Sequence, residues 1–204
     1  GKYGVKKIHH VNDKKLDHVD AMVDANVIEQ VVKATSAKII VFPNNVDGKA
    51  LAPRLSVRLK AGLISGAVAL PDTSKGFTVK KNVFSGKAFA HVSLNSEVKI
   101  ISLSPNSYKI EAGEGVAEVV AFTATVPASK VKVTAINKVS GEVPLTEAEI
   151  VVSAGRGLKG PENWGIVEEL AHSLHAALAC SRPVADAHWR PHNEHVGQTG
   201  IAIA

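Results

Sequence analysis

The sequence predicts an α/β protein. An N-terminal Rossmann-like parallel-sheet domain carries an antiparallel meander, and the first part of a second α/β domain follows. Three observations predict it. In the first 70 residues, β-branched runs alternate with stretches of helical spacing, the pattern of a parallel sheet with crossovers. From Phe77 to Leu103, three strand-like runs follow one another with only short turns between them. From Val151 to Thr199, strands end in loops rich in glycine and arginine.

In chain order, Lys7–Val11 (KIHHV) is the first strand candidate. Leu16, Val19, Val23, Val27, Ile28 and Val31 then follow helical spacing, with Asp13 or Asp17 as the cap. Lys38–Phe42 is a continuous run rich in β-branched residues, the signature of a strand buried on both faces. Asn44–Gly48 supplies turn residues. Leu51, Leu55 and Leu59 repeat every four residues, giving a second helix that ends at Gly62. Leu63–Leu70 is the next strand.

Phe77–Phe84, Lys87–Leu94 and Val98–Leu103 are expected to form the meander, turning at Ser85-Gly86 and Asn95-Ser96. Val116–Val126 and Val131–Val139 read as two further strands. Thr146–Glu149 is a linker, which divides the chain into domains 1–146 and 147–204.

Composition narrows the function classes. Hydrophobic residues make up 45% of the 204 residues and aromatics only 4%, which predicts a folded core built from Val, Ile, Leu and Ala. The net charge of +5 is spread along the chain, without the basic stripe or aromatic motif that nucleic-acid binding requires. The lone Cys180 cannot form an intramolecular disulfide and fits a reducing compartment. It lies in an apolar run, where cysteine behaves as a small hydrophobe. No apolar run reaches membrane-spanning length, and no signal peptide is visible. The chain opens on Gly1 without methionine and closes on Ile201-Ala202-Ile203-Ala204, which reads as a buried strand. An interior segment of a longer protein is therefore expected.

Three loops can carry chemistry. Gly155-Arg156-Gly157 follows a strand and is expected to open a helix with Pro161 near its first turn and Val167, Leu170, Ala171 and Leu174 on its apolar face. Glycine lets backbone approach a ligand, and the free N–H groups of a helix start favour phosphate. Arg156 could add a forked contact. The spacing is neither the GxGxxG fingerprint nor a Walker loop, and a tight turn with an exposed arginine is an equal alternative. In Ser181-Arg182-Pro183, proline stiffens the backbone behind the arginine. In Val196-Gly197-Gln198-Thr199-Gly200, an amide and a hydroxyl stand between glycines. His188, His192 and His195 have metal-like spacing, but Pro191 interrupts the helix that would align them, and no cysteine or acidic cluster completes a zinc set.

Taken together, VVSAGRGLKGPENW, ACSRPVADAHW and HVGQTG, in this order and spacing, resemble the α-subunit of electron transfer flavoprotein. Ala52-Pro53-Arg54-Leu55 and Leu63-Ile64-Ser65-Gly66 agree, so the resemblance spans essentially the whole chain. It implies an N-terminal α/β domain followed by a domain that binds FAD. By the same resemblance, Arg156 contacts the flavin nucleotide. Ser181 and Arg182 stand beside the isoalloxazine, with the arginine near its reactive edge. Val196, Gly197, Gln198 and Thr199 form the loop lining the flavin, with the threonine near N5.

The resemblance further implies an electron carrier without substrate chemistry of its own, paired with an electron transfer flavoprotein β-subunit. Acyl-CoA dehydrogenases are the expected donors and a quinone-linked oxidoreductase the acceptor, in the bacterial cytoplasm or, in a eukaryote, the mitochondrial matrix. Related subunits of carnitine, nitrogen-fixation or bifurcating pathways are the alternative, and a flavin-free docking module is a second. Family chains begin with a strand and helix ahead of the position of Gly1. They continue past that of Ala204 with the rest of the FAD domain, including an SGAIQH-type loop.

Overall fold

The computed structural model describes all residues except Ser85, 137–143, Glu147, Gln198, Ala202 and Ala204. It is mixed α/β, as expected, and falls into two compact units, Gly1–Ala135 and Ile136–Ala204. The sequence reading divides the chain about ten residues later. Leu145 and Ala148, near its linker, pack with Ala177 and Ala179 of the C-terminal unit.

In the N-terminal unit, β1 (Lys7–His10) leads to a single 3₁₀ turn, Lys14–Leu16, and then to α1 (Ala21–Thr35). The cap is neither of the expected Asp13 and Asp17 but Asp20. The Asp20 carboxylate accepts from the N–H groups of Met22 (2.9 Å) and Val23 (3.4 Å), and Asp24 accepts from the Asp20 N–H (3.1 Å). Asp13 caps only the 3₁₀ turn, so Leu16 and Val19 precede the helix instead of belonging to it. Val23 and Val27 form the buried stripe and meet Val126.

β2 (Ile39–Pro43), α2 (Val46–Leu59) and β3 (Gly62–Ala67) follow. Asn45 caps α2 by accepting from the Gly48 N–H at 2.8 Å. Gly48 is required by close approach, since a Cβ there would lie 1.7 Å from the Pro43 oxygen. The helix ends at Lys60 in the left-handed region (φ 51°), and Gly62 already belongs to β3. β3 stops at Ala67 instead of reaching Leu70.

β4 (Thr78–Val83) and β5 (Ala88–Ser93) form an antiparallel hairpin, but β6 (Lys99–Leu103) does not continue it. It inserts between β2 and β3, parallel to both, in the order β2-β6-β3-β4-β5. The expected three-stranded meander is therefore a two-stranded hairpin. β6 is also the strand buried on both faces: Ile100 packs with Leu55 and Phe42, and Ile101 with Ile64 and Val79. β2, read from its composition as doubly buried, is an edge strand with Ile39 53% and Val41 61% exposed. The two runs have the same apolar signature, and only pairing decides which is central.

β7 (Glu118–Ala121) pairs in parallel with β1 and is shorter than the expected Val116–Val126. Val131–Ile136 form no strand, and the rest of that expected strand lies outside the described residues.

The C-terminal unit pairs β8 (Val151–Ala154) in parallel with β9 (Ala177–Cys180). Between them lie two 3₁₀ turns, Arg156–Leu158 and Pro161–Asn163, and then α3 (Gly165–Ser173). The Gly-Arg-Gly loop therefore does not open the helix directly, and Pro161 starts a 3₁₀ turn instead of α3. Val167 and Ala171 are buried on α3, whereas Leu170 and Leu174 are half exposed. The short α4 (Arg182–Asp186) and a 3₁₀ turn, His192–Glu194, complete the unit. Its core gathers Trp164, Val167, Cys180, Val184 and Ala185.

Candidate functional site

The parallel pairing of β8 and β9 sets Ala154 opposite Cys180, so the loops leaving both strands emerge at one end of the pair. The Ser181 N–H donates to the Ala154 carbonyl at 3.1 Å. A Cβ on Gly155 would sit 3.4 Å from the Ser181 Oγ, so the first loop lies within ordinary van der Waals contact of the second. The third loop is anchored to the same strand. The Val196 N–H donates to the Cys180 carbonyl (3.0 Å) and the Ile201 N–H to the His195 carbonyl (2.8 Å).

This convergence builds a cavity of about 380 Å³ lined by Ser181, Arg182, His195, Val196 and Thr199. That volume lies toward the small end of small-molecule sites, which span about 300–1,000 Å³. Its side chains offer two hydroxyls, a permanently cationic guanidinium and an imidazole. Such a donor set suits an anionic or electron-rich ligand. Arg182 is 62% exposed on its side chain and is steadied by Asp186 one helical turn on, Nε to carboxylate 3.3 Å.

Of the residues singled out in the sequence, Ser181, Arg182, Val196 and Thr199 share this cavity. Gly197 turns the third loop at φ 105°, a conformation that favours glycine. Gln198 lies outside the described residues. Arg156 is exposed on its 3₁₀ turn and does not line the cavity.

His195 was legible only as one member of the histidine cluster, yet it lines the cavity and is 8% exposed. Its attachment to the Val-Gly loop was the available signal. His188 and His192 instead meet edge to face at 6.2 Å. Among the described residues, no group of three or more His, Cys, Asp or Glu side chains is arranged to hold a metal. Cys180 is fully buried, and burial first, then the Glu194 carboxylate, pushes its thiol above the ordinary range, with Arg190 opposing. It is held as a neutral thiol in the core.

Gly200 keeps the third loop closed, since a Cβ there would lie 2.4 Å from the His195 oxygen. Gly200→Ala is therefore expected to break the hydrogen bond from Ile201, with a loss of about 0.5–1.5 kcal/mol. Amide hydrogen exchange would show it as several-fold faster exchange at Ile201. Unchanged protection would mean that the loop accommodates the methyl group.

A family model described as the electron transfer flavoprotein domain matches residues 1–127, and one described as the electron transfer flavoprotein FAD-binding domain matches residues 144–204. The electron transfer flavoprotein subunit alpha of Bacillus subtilis (strain 168) is 31% identical over 98% of this chain and 63% of its own length. That of Syntrophomonas wolfei is 30% identical over 99% of this chain and 65% of its own length. The protein FixB of Escherichia coli (strain 55989 / EAEC) is 31% identical over 90% of this chain and 61% of its own length. The chain thus spans less than two thirds of the length of these relatives. Among the described residues, no helix is long and apolar enough to cross a membrane.

Proposed function

The chain belongs to the electron transfer flavoprotein α-subunit family, and from that premise we propose that it binds FAD as part of an electron carrier. The observation that carries this reading is the single cavity shared by Ser181, Arg182, Val196 and Thr199. When bound, FAD supplies reversible acceptance and release of electrons, chemistry that no side chain of the chain offers. The residues present fit it. Arg182 places positive charge where the ring gains negative charge, and the Ser181 and Thr199 hydroxyls can donate or accept at ring heteroatoms. Val196 gives the apolar contact. Gly197 and Gln198 complete the third loop, and Arg156, outside the cavity, serves the nucleotide end of the cofactor.

In the full reading, the chain pairs with an electron transfer flavoprotein β-subunit. It relays electrons from dehydrogenases, acyl-CoA dehydrogenases in the first instance, to a quinone-linked oxidoreductase in the bacterial cytoplasm. It catalyses no substrate conversion itself. The 31% identity to FixB keeps a related flavoprotein subunit as the second reading. Redox assay with candidate donor dehydrogenases separates the two.

The first test is the visible spectrum of the purified protein. Bound flavin supports the carrier, and a protein that stays colourless after incubation with FAD supports a docking module. Within the loaded protein, Arg182→Ala is expected to lower the reduction potential. A charged hydrogen bond acting on the reduced form contributes roughly 1.5–3 kcal/mol, or roughly 60–130 mV for one electron. The exposure of Arg182 and its screening by solvent favour the lower end. An unchanged potential would remove Arg182 from this role.

A further inference from the structure

Resting on the FAD reading, we propose that His195 is the proton-accepting group of this cavity, taking up one proton when one electron enters the bound FAD. Nothing in the sequence motifs assigns His195 a cofactor role; the cavity does. Its main chain is held on three sides. Its N–H donates to the His192 carbonyl (3.2 Å), its carbonyl accepts from Ile201 (2.8 Å), and its backbone bridges to Cys180 of β9. Gly200 packs against the ring, where a Cβ would stand 2.9 Å from Cδ2. His195 lines the same 380 Å³ cavity as Arg182, Ser181 and Thr199.

The surrounding charges leave this task to His195. Arg182, on α4, is permanently protonated and cannot respond to a new charge, and Asp186 already pairs with it. Cys180, on β9, is a buried neutral thiol. Glu194 and Arg190 are paired with each other and line a different cavity, of about 590 Å³. His192, in the preceding turn, meets His188 edge to face. Histidine is the side chain whose ordinary ionisation falls between pH 5 and 8. An electron added to a partly enclosed ring leaves a negative charge that a proton on His195 neutralises. The electron comes from a reductant and the proton from solvent. The one bond formed is N–H on the imidazole, and the net charge of the cavity is unchanged.

The test is a dithionite titration of the FAD-loaded protein, wild type and His195→Gln, at several values from about pH 6 to about pH 8. Where His195 ionises, wild type is expected to become tenfold harder to reduce per pH unit through this group, about 59 mV for one electron. The variant should lose that component of the slope. Identical slopes overturn the proposal. A second readout needs no variant to hold FAD: the imidazole C–H resonance of His195 in wild type should titrate at higher pH when the flavin is reduced, and an unmoved midpoint overturns the proposal equally. A wild-type protein that takes up no FAD fails earlier, and brings down the functional reading itself.

Discussion

Replacing Arg190 with alanine is expected to destabilise the C-terminal unit by about 3–5 kcal/mol, the typical loss when one member of a buried ion pair is removed. The guanidinium donates two hydrogen bonds to Glu194, Nε to Oε2 at 2.7 Å and Nη2 to Oε1 at 2.6 Å, and a third to Glu168 at 2.5 Å. It also lies 5.4 Å from the Trp164 ring, a cation–π contact. The Glu194 side chain is only 5% exposed, so the variant leaves a carboxylate in the core without a counter-charge. The hydrogen bonds that Arg190 donates to Glu194 are the largest influence raising its proton affinity, so the guanidinium stays charged at every pH the fold survives.

Both tryptophans of the chain, Trp164 and Trp189, lie in this unit, so urea unfolding followed by tryptophan fluorescence reports on it directly. The double variant Arg190→Met with Glu194→Leu should lose less than the sum of the single losses, because no charge is then stranded. Additive losses, or a midpoint for Arg190→Ala near that of wild type, would mean that the pair is solvated.

The second large effect is expected in the N-terminal unit. Ile100 sits on the central strand β6, fully buried, in register with Ile40 on one side and Leu63 on the other. It packs in one cluster with Leu55, Ala52 and Phe42. Ile100→Ala should cost about 2–5 kcal/mol, combining lost transfer energy with the cavity left behind. The same change at Ile39, on the exposed face of edge strand β2, should cost far less, since little apolar surface returns to water. Far-UV circular dichroism during urea unfolding measures both. Equal losses at the two positions would contradict the placement of β6 at the centre and β2 at the edge.

That contrast shows how far local pattern reaches. Lys38–Phe42 reads as a strand buried on both faces and Val98–Leu103 as a meander strand, and both are strands. Which one lies inside depends on β6 crossing back between β2 and β3, a pairing between residues roughly 35 to 60 positions apart. The helix cap is a smaller instance. Asp13, Asp17 and Asp20 are equally good caps by residue type, and Asp20 is selected because Val23 and Val27 then face Val126.

The candidate site divides in the same way. Its loops were visible as glycine- and arginine-bearing turns after strands, because turn chemistry is written in neighbouring residues. The chain alone also identified the α/β class, the core composition and the family motifs. Tertiary structure decided the rest. The β8–β9 pairing and the bridge from Cys180 to His195 bring Ser181, Arg182, Val196 and Thr199 around one cavity and add His195, while Arg156 stays outside it. Periodicity and turn residues act over a few positions and can be read locally. Burial, strand order and the sharing of a cavity depend on contacts between distant segments, which exist only once the chain has folded.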